Sequence, residues 1–102
     1  MCGITGFIDF NASSSKEILQ KMADVQIKRG PEDSGYELFE SEGLQIGLGF
    51  RRLSIIDLTP QGHQPMFSAD RSNCIVFNGE IYNYKEIRKE LEGLGHAFNT
   101  NS

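Results

Sequence analysis

Hydrophobic and polar positions change their period several times along this chain. From Gly3 to Phe10 apolar residues alternate with small ones, the signature of a buried strand, and Asn11-Ala12-Ser13 supplies a turn. Ile18, Leu19, Met22, Val25 and Ile27 then recur at helical intervals. Ser14 and Glu17 stand at capping-box spacing ahead of them, so a helix is expected over Ser14–Lys28, stopped by Gly30-Pro31. Gly35–Glu40 and Leu44–Phe50 are two strand-like runs separated by Ser41-Glu42-Gly43, which predicts a hairpin. Leu53–Leu58 is a short apolar stretch, Thr59–Asp70 a Pro, Gly and Gln-rich loop, and Asn73–Phe77 a further strand. Asn83 and Glu86 repeat the capping-box spacing before Ile87, Leu91 and Leu94, with Gly95 closing this second helix. His96–Asn99 looks like the beginning of a strand. The order is strand, helix, hairpin, long loop, strand, helix, strand, a mixed α+β layout with no internal repeat.

Bulk properties narrow the picture. The chain has 102 residues, which fits one small domain. Such a chain buries about 60–65% of its unfolded surface. A net charge of -4 without runs of like charge argues against nucleic acid as a partner. No apolar run is long enough to span a bilayer, so no membrane partner is expected. Met1-Cys2-Gly3-Ile4 lacks the basic start and apolar core of a signal peptide. Two cysteines do not make a disulfide framework, and a reducing, cytoplasmic setting is expected. Cys74, inside Cys74-Ile75-Val76-Phe77, reads as a buried strand residue.

Cys2 is the residue with most chemistry in it. Removal of Met1 would leave one residue carrying a thiol, of reference pKa about 8.5, and an α-amine, of reference pKa about 7.7–8.0. A nucleophile beside its own base is what covalent catalysis requires. By itself Cys2 also reads as a small apolar residue heading the first strand. Three further stretches stand out. Arg29-Gly30-Pro31-Glu32-Asp33-Ser34-Gly35 holds more glycine, proline and charge than a plain turn needs. Arg51-Arg52 enters an apolar run, where an arginine is either a surface residue or a planar fork for a carboxylate. Asn78-Gly79-Glu80 lies between a strand and a helix. Asn78-Gly79 reads as a turn, or as a corner where a side-chain amide and a backbone N–H converge on one developing oxyanion. Glu80 alone reads as a solvated charge.

Four ordered blocks together resemble the N-terminal glutaminase domain of class II glutamine amidotransferases, most closely that of the glutamine-hydrolysing asparagine synthetases. They are Met1-Cys2-Gly3-Ile4 with Gly6; Arg29-Gly30-Pro31 with Asp33 and Gly35; Arg52-Leu53-Ser54-Ile55-Ile56-Asp57 with Gly62-His63-Gln64-Pro65; and Asn78-Gly79-Glu80-Ile81-Tyr82-Asn83. The resemblance implies the N-terminal-nucleophile fold, a four-layer αββα sandwich, and hydrolysis of L-glutamine to glutamate and ammonia through a thioester. It implies Cys2 as nucleophile, Asn78 and Gly79 as oxyanion donors, Arg52 on the α-carboxylate of glutamine and Glu80 on its amino end. Glu32, Lys28 and Phe50 stand where the family usually has Asp, His and His.

The same resemblance implies a C-terminal synthetase domain or partner subunit that amidates aspartate with ATP and Mg. No Gly-rich phosphate loop occurs in these 102 residues, so no cofactor is expected within them. His63 and His96 have no partners at metal-ligand spacing and no metal site is expected. Residues 1–102 are expected to form the N-terminal part of a glutaminase domain. Thr100-Asn101-Ser102 stands one residue short of the family's substrate-binding aspartate, so a truncated, weakly active domain is anticipated. Self-association into a homo-oligomer through open strand edges is a further expectation. Two other readings stay open: an amidotransferase of another pathway, making amino sugars, glycan amides or modified peptides, and an inactive remnant that only binds a partner.

Overall fold

A computed structural model describes residues 2–53 and 62–100. The expectations for Met1, for 54–61, including the Ser54–Asp57 part of the third block, and for Asn101-Ser102 lie outside them. Among the described residues seven elements follow in order: β1 (Gly3–Asp9), α1 (Lys16–Asp24), β2 (Asp33–Ser41), β3 (Leu44–Arg52), β4 (Met66–Phe67), β5 (Cys74–Ile75) and α2 (Tyr84–Gly93). The α+β reading holds at this level.

β1, β3 and β2 form an antiparallel sheet in that spatial order, and β4 and β5 form a separate two-stranded ribbon. The hairpin is as expected but longer at its open end, running from Asp33 to Arg52. Its loop is Glu42-Gly43, with Ser41 opposite Leu44 and positive φ at both loop residues, the twist that lets two strands stay paired. β1 lies alongside β3 with Gly3 opposite Arg51 and Asp9 opposite Gln45.

Strand alternation gives the sheet two faces. One carries Thr5, Gly49 and Tyr36 in a single row, with Phe7, Gly47 and Leu38 in the next. Here α1 packs: Leu19 and Ala23 are fully buried, and both approach Gly49. The ring of Phe7 lies against Gly47, at a place where any side chain on residue 47 would collide with it. The other face carries Ile4, Phe50 and Gly35, then Ile8, Ile46 and Phe39. Phe50 is buried, and Phe39 meets Phe67 edge-on at 6.0 Å between ring centroids. Ile4 and Ile8 stay exposed.

Several local expectations are corrected. α1 is capped by Ser15, whose hydroxyl accepts from the Ile18 N–H at 3.3 Å, not by Ser14. The reason is a tether: the Gln45 side chain accepts from the Ser14 N–H at 2.8 Å and donates to the Ser14 carbonyl at 3.0 Å, holding Ser14 on β3. α1 also ends at Asp24 instead of Lys28. From Ala23 to Arg29 the backbone bonds tighten to three-residue spacing, which rotates Val25 and Ile27 outward, and both are exposed. The predicted strand Asn73–Phe77 shrinks to Cys74–Ile75, paired with Met66–Phe67 inside the expected loop. Asn83 makes no capping bond to α2, so the second capping box does not form. Gly95 closes α2 as expected, with φ +96 and the His96 N–H reaching back to the Leu91 carbonyl at 3.0 Å. His96–Asn99 forms no strand.

Candidate functional site at the head of β1

Cys2 immediately precedes β1, and the register of β1 on β3 sets it beside the end of β3. Its sulfur sits against the backbone of Leu53. The Leu53 N–H donates to Sγ at 3.2 Å, and the thiol donates to the Leu53 carbonyl at 3.5 Å. The side chain is thereby fixed, and the sulfur faces a donor that negative charge on it can use. Leu53 directly follows Arg52, so thiol and arginine share one strand end.

The Cys2 carbonyl receives two donors from distant parts of the chain. Asn78 Nδ2 lies 2.9 Å away, across 76 residues of sequence, and Arg29 Nε lies 3.3 Å away. An Asn amide carries two N–H groups, so one donor of Asn78 is engaged with Cys2 and a second is left for another oxygen. Cys2 and Asn78, predicted together, are together in space. Gly79 follows on the exposed side of this corner, with the ring of Phe77 packed against its Cα.

Arg29 was recognised only as part of an unusual turn. That turn is held by Arg51, which is buried, donates from Nε to the Gly30 carbonyl at 2.9 Å and pairs with Asp24 at 3.4 Å. The Tyr36 hydroxyl also donates to Asp24, at 2.8 Å. The Glu32 N–H bonds the Arg52 carbonyl at 3.2 Å, so the whole Arg29–Asp33 turn is laced to the end of β3. Of the adjacent arginines, Arg51 faces α1 and serves this turn, whereas Arg52 lies on the opposite face.

Arg52 is 7% exposed. Its guanidinium lies against Gly62, where a Cβ would overlap it. The next residues form a short bridge over the sheet. His63 Nδ1 approaches Asp33 Oδ2 at 2.6 Å, and the Gln64 carbonyl rests on Gly35 so closely that any side chain there would collide. His63 is thus tied to β2. Gln64 then binds the backbone of Phe77: the Phe77 N–H donates to Gln64 Oε1 at 2.6 Å, and Gln64 Nε2 donates to the Phe77 carbonyl at 3.3 Å. Sequence reasoning placed Gln64 in a motif but gave it no role.

Glu80 is exposed and is not brought onto Cys2 or Arg52 by any hydrogen bond or ion pair among the described residues. Cys74 is half-buried, not buried, in a two-residue strand. Burial pushes its thiol up, and the nearby negative charge of Glu37 adds to this. Among the described residues no group of three or more His, Cys, Asp or Glu is placed to hold a metal. No helix there is long and apolar enough to cross a membrane.

A cysteine, an Asn-Gly corner and a buried arginine are thus gathered at one sheet end. The chain belongs to the glutamine amidotransferase domain family, which matches it over residues 1–102. It is 43% identical over 106 residues to asparagine synthetase [glutamine-hydrolyzing] 1 of Bacillus subtilis (strain 168), covering 100% of this chain and 16% of that protein. It is also 43% identical to asparagine synthetase [glutamine-hydrolyzing] 2 of the same organism, covering 100% of this chain and 13% of that protein. A putative asparagine synthetase [glutamine-hydrolyzing] 2 of Methanocaldococcus jannaschii is 39% identical, over 89% of this chain and 20% of the relative. The chain therefore spans between one-eighth and one-fifth of these relatives' length.

Proposed function

We propose that this glutamine amidotransferase domain hydrolyses L-glutamine with Cys2 as the nucleophile, and that the ammonia serves asparagine synthesis. The single observation that carries the reading is the Cys2–Asn78 contact at 2.9 Å, with the Cys2 sulfur seated on Leu53 next to buried Arg52. With Met1 removed, the α-amine of Cys2 takes the thiol proton, directly or through a water. The sulfur then attacks the side-chain carbonyl carbon of glutamine. A C–S bond forms, and the carbonyl electron pair moves onto oxygen, where Asn78 Nδ2 and the Gly79 N–H receive it. Collapse breaks the C–N bond; the leaving nitrogen collects the proton from the α-ammonium and departs as ammonia. Water then cleaves the thioester to glutamate and regenerates the thiol. Arg52 holds the α-carboxylate of glutamine by a charge-assisted fork. Glu80 serves the α-amino group, and its exposed position lets it turn toward substrate.

On this reading the α+β unit is part of an N-terminal-nucleophile αββα sandwich, with residues 1–102 its N-terminal portion, and the exposed row of Ile4 and Ile8 marks the face where the second sheet stacks. Ammonia passes to a C-terminal synthetase domain or partner subunit. ATP and Mg belong to that later step, and no residue placed here is assigned to them. The chemistry needs a reduced thiol, which both free cysteines allow, and a cytoplasmic setting follows. Assembly into a homo-oligomer is part of the same proposal.

The test is labelling with an electrophilic glutamine analogue, such as 6-diazo-5-oxonorleucine, followed by peptide mass spectrometry. Modification of Cys2 that free glutamine suppresses, with Cys74 untouched, is the expected result. Modification of Cys74 alone, or none after Met1 is verified absent, refutes the assignment.

A further inference from the structure

We propose that Gln64 is a positioning residue for the oxyanion corner: its side-chain amide stands in for a neighbouring strand, fixing Phe77 and thereby Asn78 and Gly79. The proposal rests on the glutaminase reading above.

Phe77 lies two residues beyond β5, where it has no strand partner of its own among the described residues. Its backbone N–H and C=O still need partners. Gln64 offers an acceptor and a donor on one planar amide, the same pair that a peptide group presents across a ladder. Both are used, at 2.6 Å and 3.3 Å. Both polar atoms of the side chain are turned onto the Phe77 backbone, so Gln64 acts through Asn78 as a positioning residue.

The grip is useful only if Gln64 is itself held, and it is. Its carbonyl rests on Gly35, its neighbour His63 pairs with Asp33, and Gly62 lies on the Arg52 guanidinium. Asp33, Gly35 and Arg52 all belong to the β2–β3 hairpin. Positional information therefore runs from that hairpin through residues 62–64 to Phe77. From Phe77 it reaches Asn78 along the chain, and Asn78 is bonded to Cys2 at 2.9 Å. It reaches Gly79 through the Phe77 ring, which packs on the glycine Cα. The same bridge contacts Arg52, so the groups assigned to the α-carboxylate and to the oxyanion are spaced by one rigid piece.

The experiment compares the parent protein with Gln64→Leu and Gln64→Glu in glutamine hydrolysis, with inactivation by the electrophilic analogue followed in parallel. Gln64→Leu keeps the bulk and loses both bonds. Gln64→Glu keeps the acceptor for the Phe77 N–H and loses the donor. Removing an oxyanion donor outright costs about 10²–10³ in kcat, so misplacing one should cost about 10- to 100-fold. The expected pattern is a kcat loss of that size in Gln64→Leu with KM changed less than about threefold, and an intermediate kcat in Gln64→Glu. Hydrogen exchange of the Phe77 amide should be slow in the parent and in Gln64→Glu, and fast in Gln64→Leu. Alkylation of Cys2 by iodoacetamide, which needs no oxyanion corner, should change little. A Gln64→Leu protein with kcat within twofold of the parent, or with Phe77 still protected, overturns the proposal. So does a Gln64→Glu protein as impaired as Gln64→Leu. Should Cys2→Ala still hydrolyse glutamine, the nucleophile assignment fails first, which separates that failure from one of Gln64.

Discussion

On the proposed mechanism Asn78→Ala separates anchoring from catalysis, with very different magnitudes expected for the two. In the resting site, Asn78 contributes one neutral hydrogen bond, at 2.9 Å to the Cys2 carbonyl. Such a bond is worth about 0.5–1.5 kcal/mol net. Its loss does not orphan the acceptor, because Arg29 Nε remains 3.3 Å from the same oxygen. The stability cost should therefore sit near the low end, about 0.5–1 kcal/mol. The rate cost rests on the proposed mechanism, in which the second N–H of Asn78 serves the developing oxyanion. Loss of such a donor costs about 10²–10³ in kcat, about 2.7–4 kcal/mol. Urea denaturation measures the first quantity and glutamate release at saturating glutamine the second. Asn78→Asp, nearly isosteric, should be at least as slow, because it offers a carboxylate oxygen where a donor is needed. The reasoning is refuted if Asn78→Ala keeps kcat within about threefold, or if the denaturation midpoint shows a stability loss as large as the rate loss.

Three other outcomes follow from the packing and the titrating groups. Leu19→Ala should destabilise by about 2–5 kcal/mol in chemical denaturation, since Leu19 is fully buried between α1 and the sheet. Asp70 accepts bonds from the Ser72 hydroxyl and N–H and from the Ser68 hydroxyl, which hold its carboxyl down to about 2 from an ordinary 3.8. Its support for the β4–β5 turn is thus complete above 3.8 and fades as pH falls through about 2; an NMR carboxyl titration with a midpoint near 3.8 would contradict this. Cys74 should ionise above its ordinary 9.0, so its alkylation rate should still be rising with pH beyond that point. A plateau reached below pH 9.0 would show that burial does not act on this thiol.

How much of this was readable in the chain depends on whether the cause was local. The β2–β3 hairpin was legible because Glu42-Gly43 carries its own turn geometry, and α2 ended where Gly95 permits a positive φ. The α1 boundaries were not, because Gln45, 31 residues away, takes Ser14 for β3 and leaves the cap to Ser15. Cys2, Asn78 and Gly79 were singled out by their chemistry and a resemblance in motif, and the structure brings Asn78 onto the Cys2 carbonyl. The connectors Arg29, Leu53 and Gln64 were missed as individual actors. Each works through backbone atoms of a distant residue, and no side-chain type advertises that. Only the resemblance told Arg52 from Arg51 in the sequence; strand alternation sends the two to opposite faces of one sheet.

The ring of Phe7 lying on Gly47 looks remote from the chemistry, about 17 Å along β1 at strand rise. Yet a slip of β1 by one position would take that ring off Gly47 and set it against Leu48 or Ile46. A slip of a single position would carry the sulfur about 3.4 Å along the strand and turn it toward α1. The quiet far end of the strand thus works like the notch of a key, deciding on which face of the sheet the thiol sits.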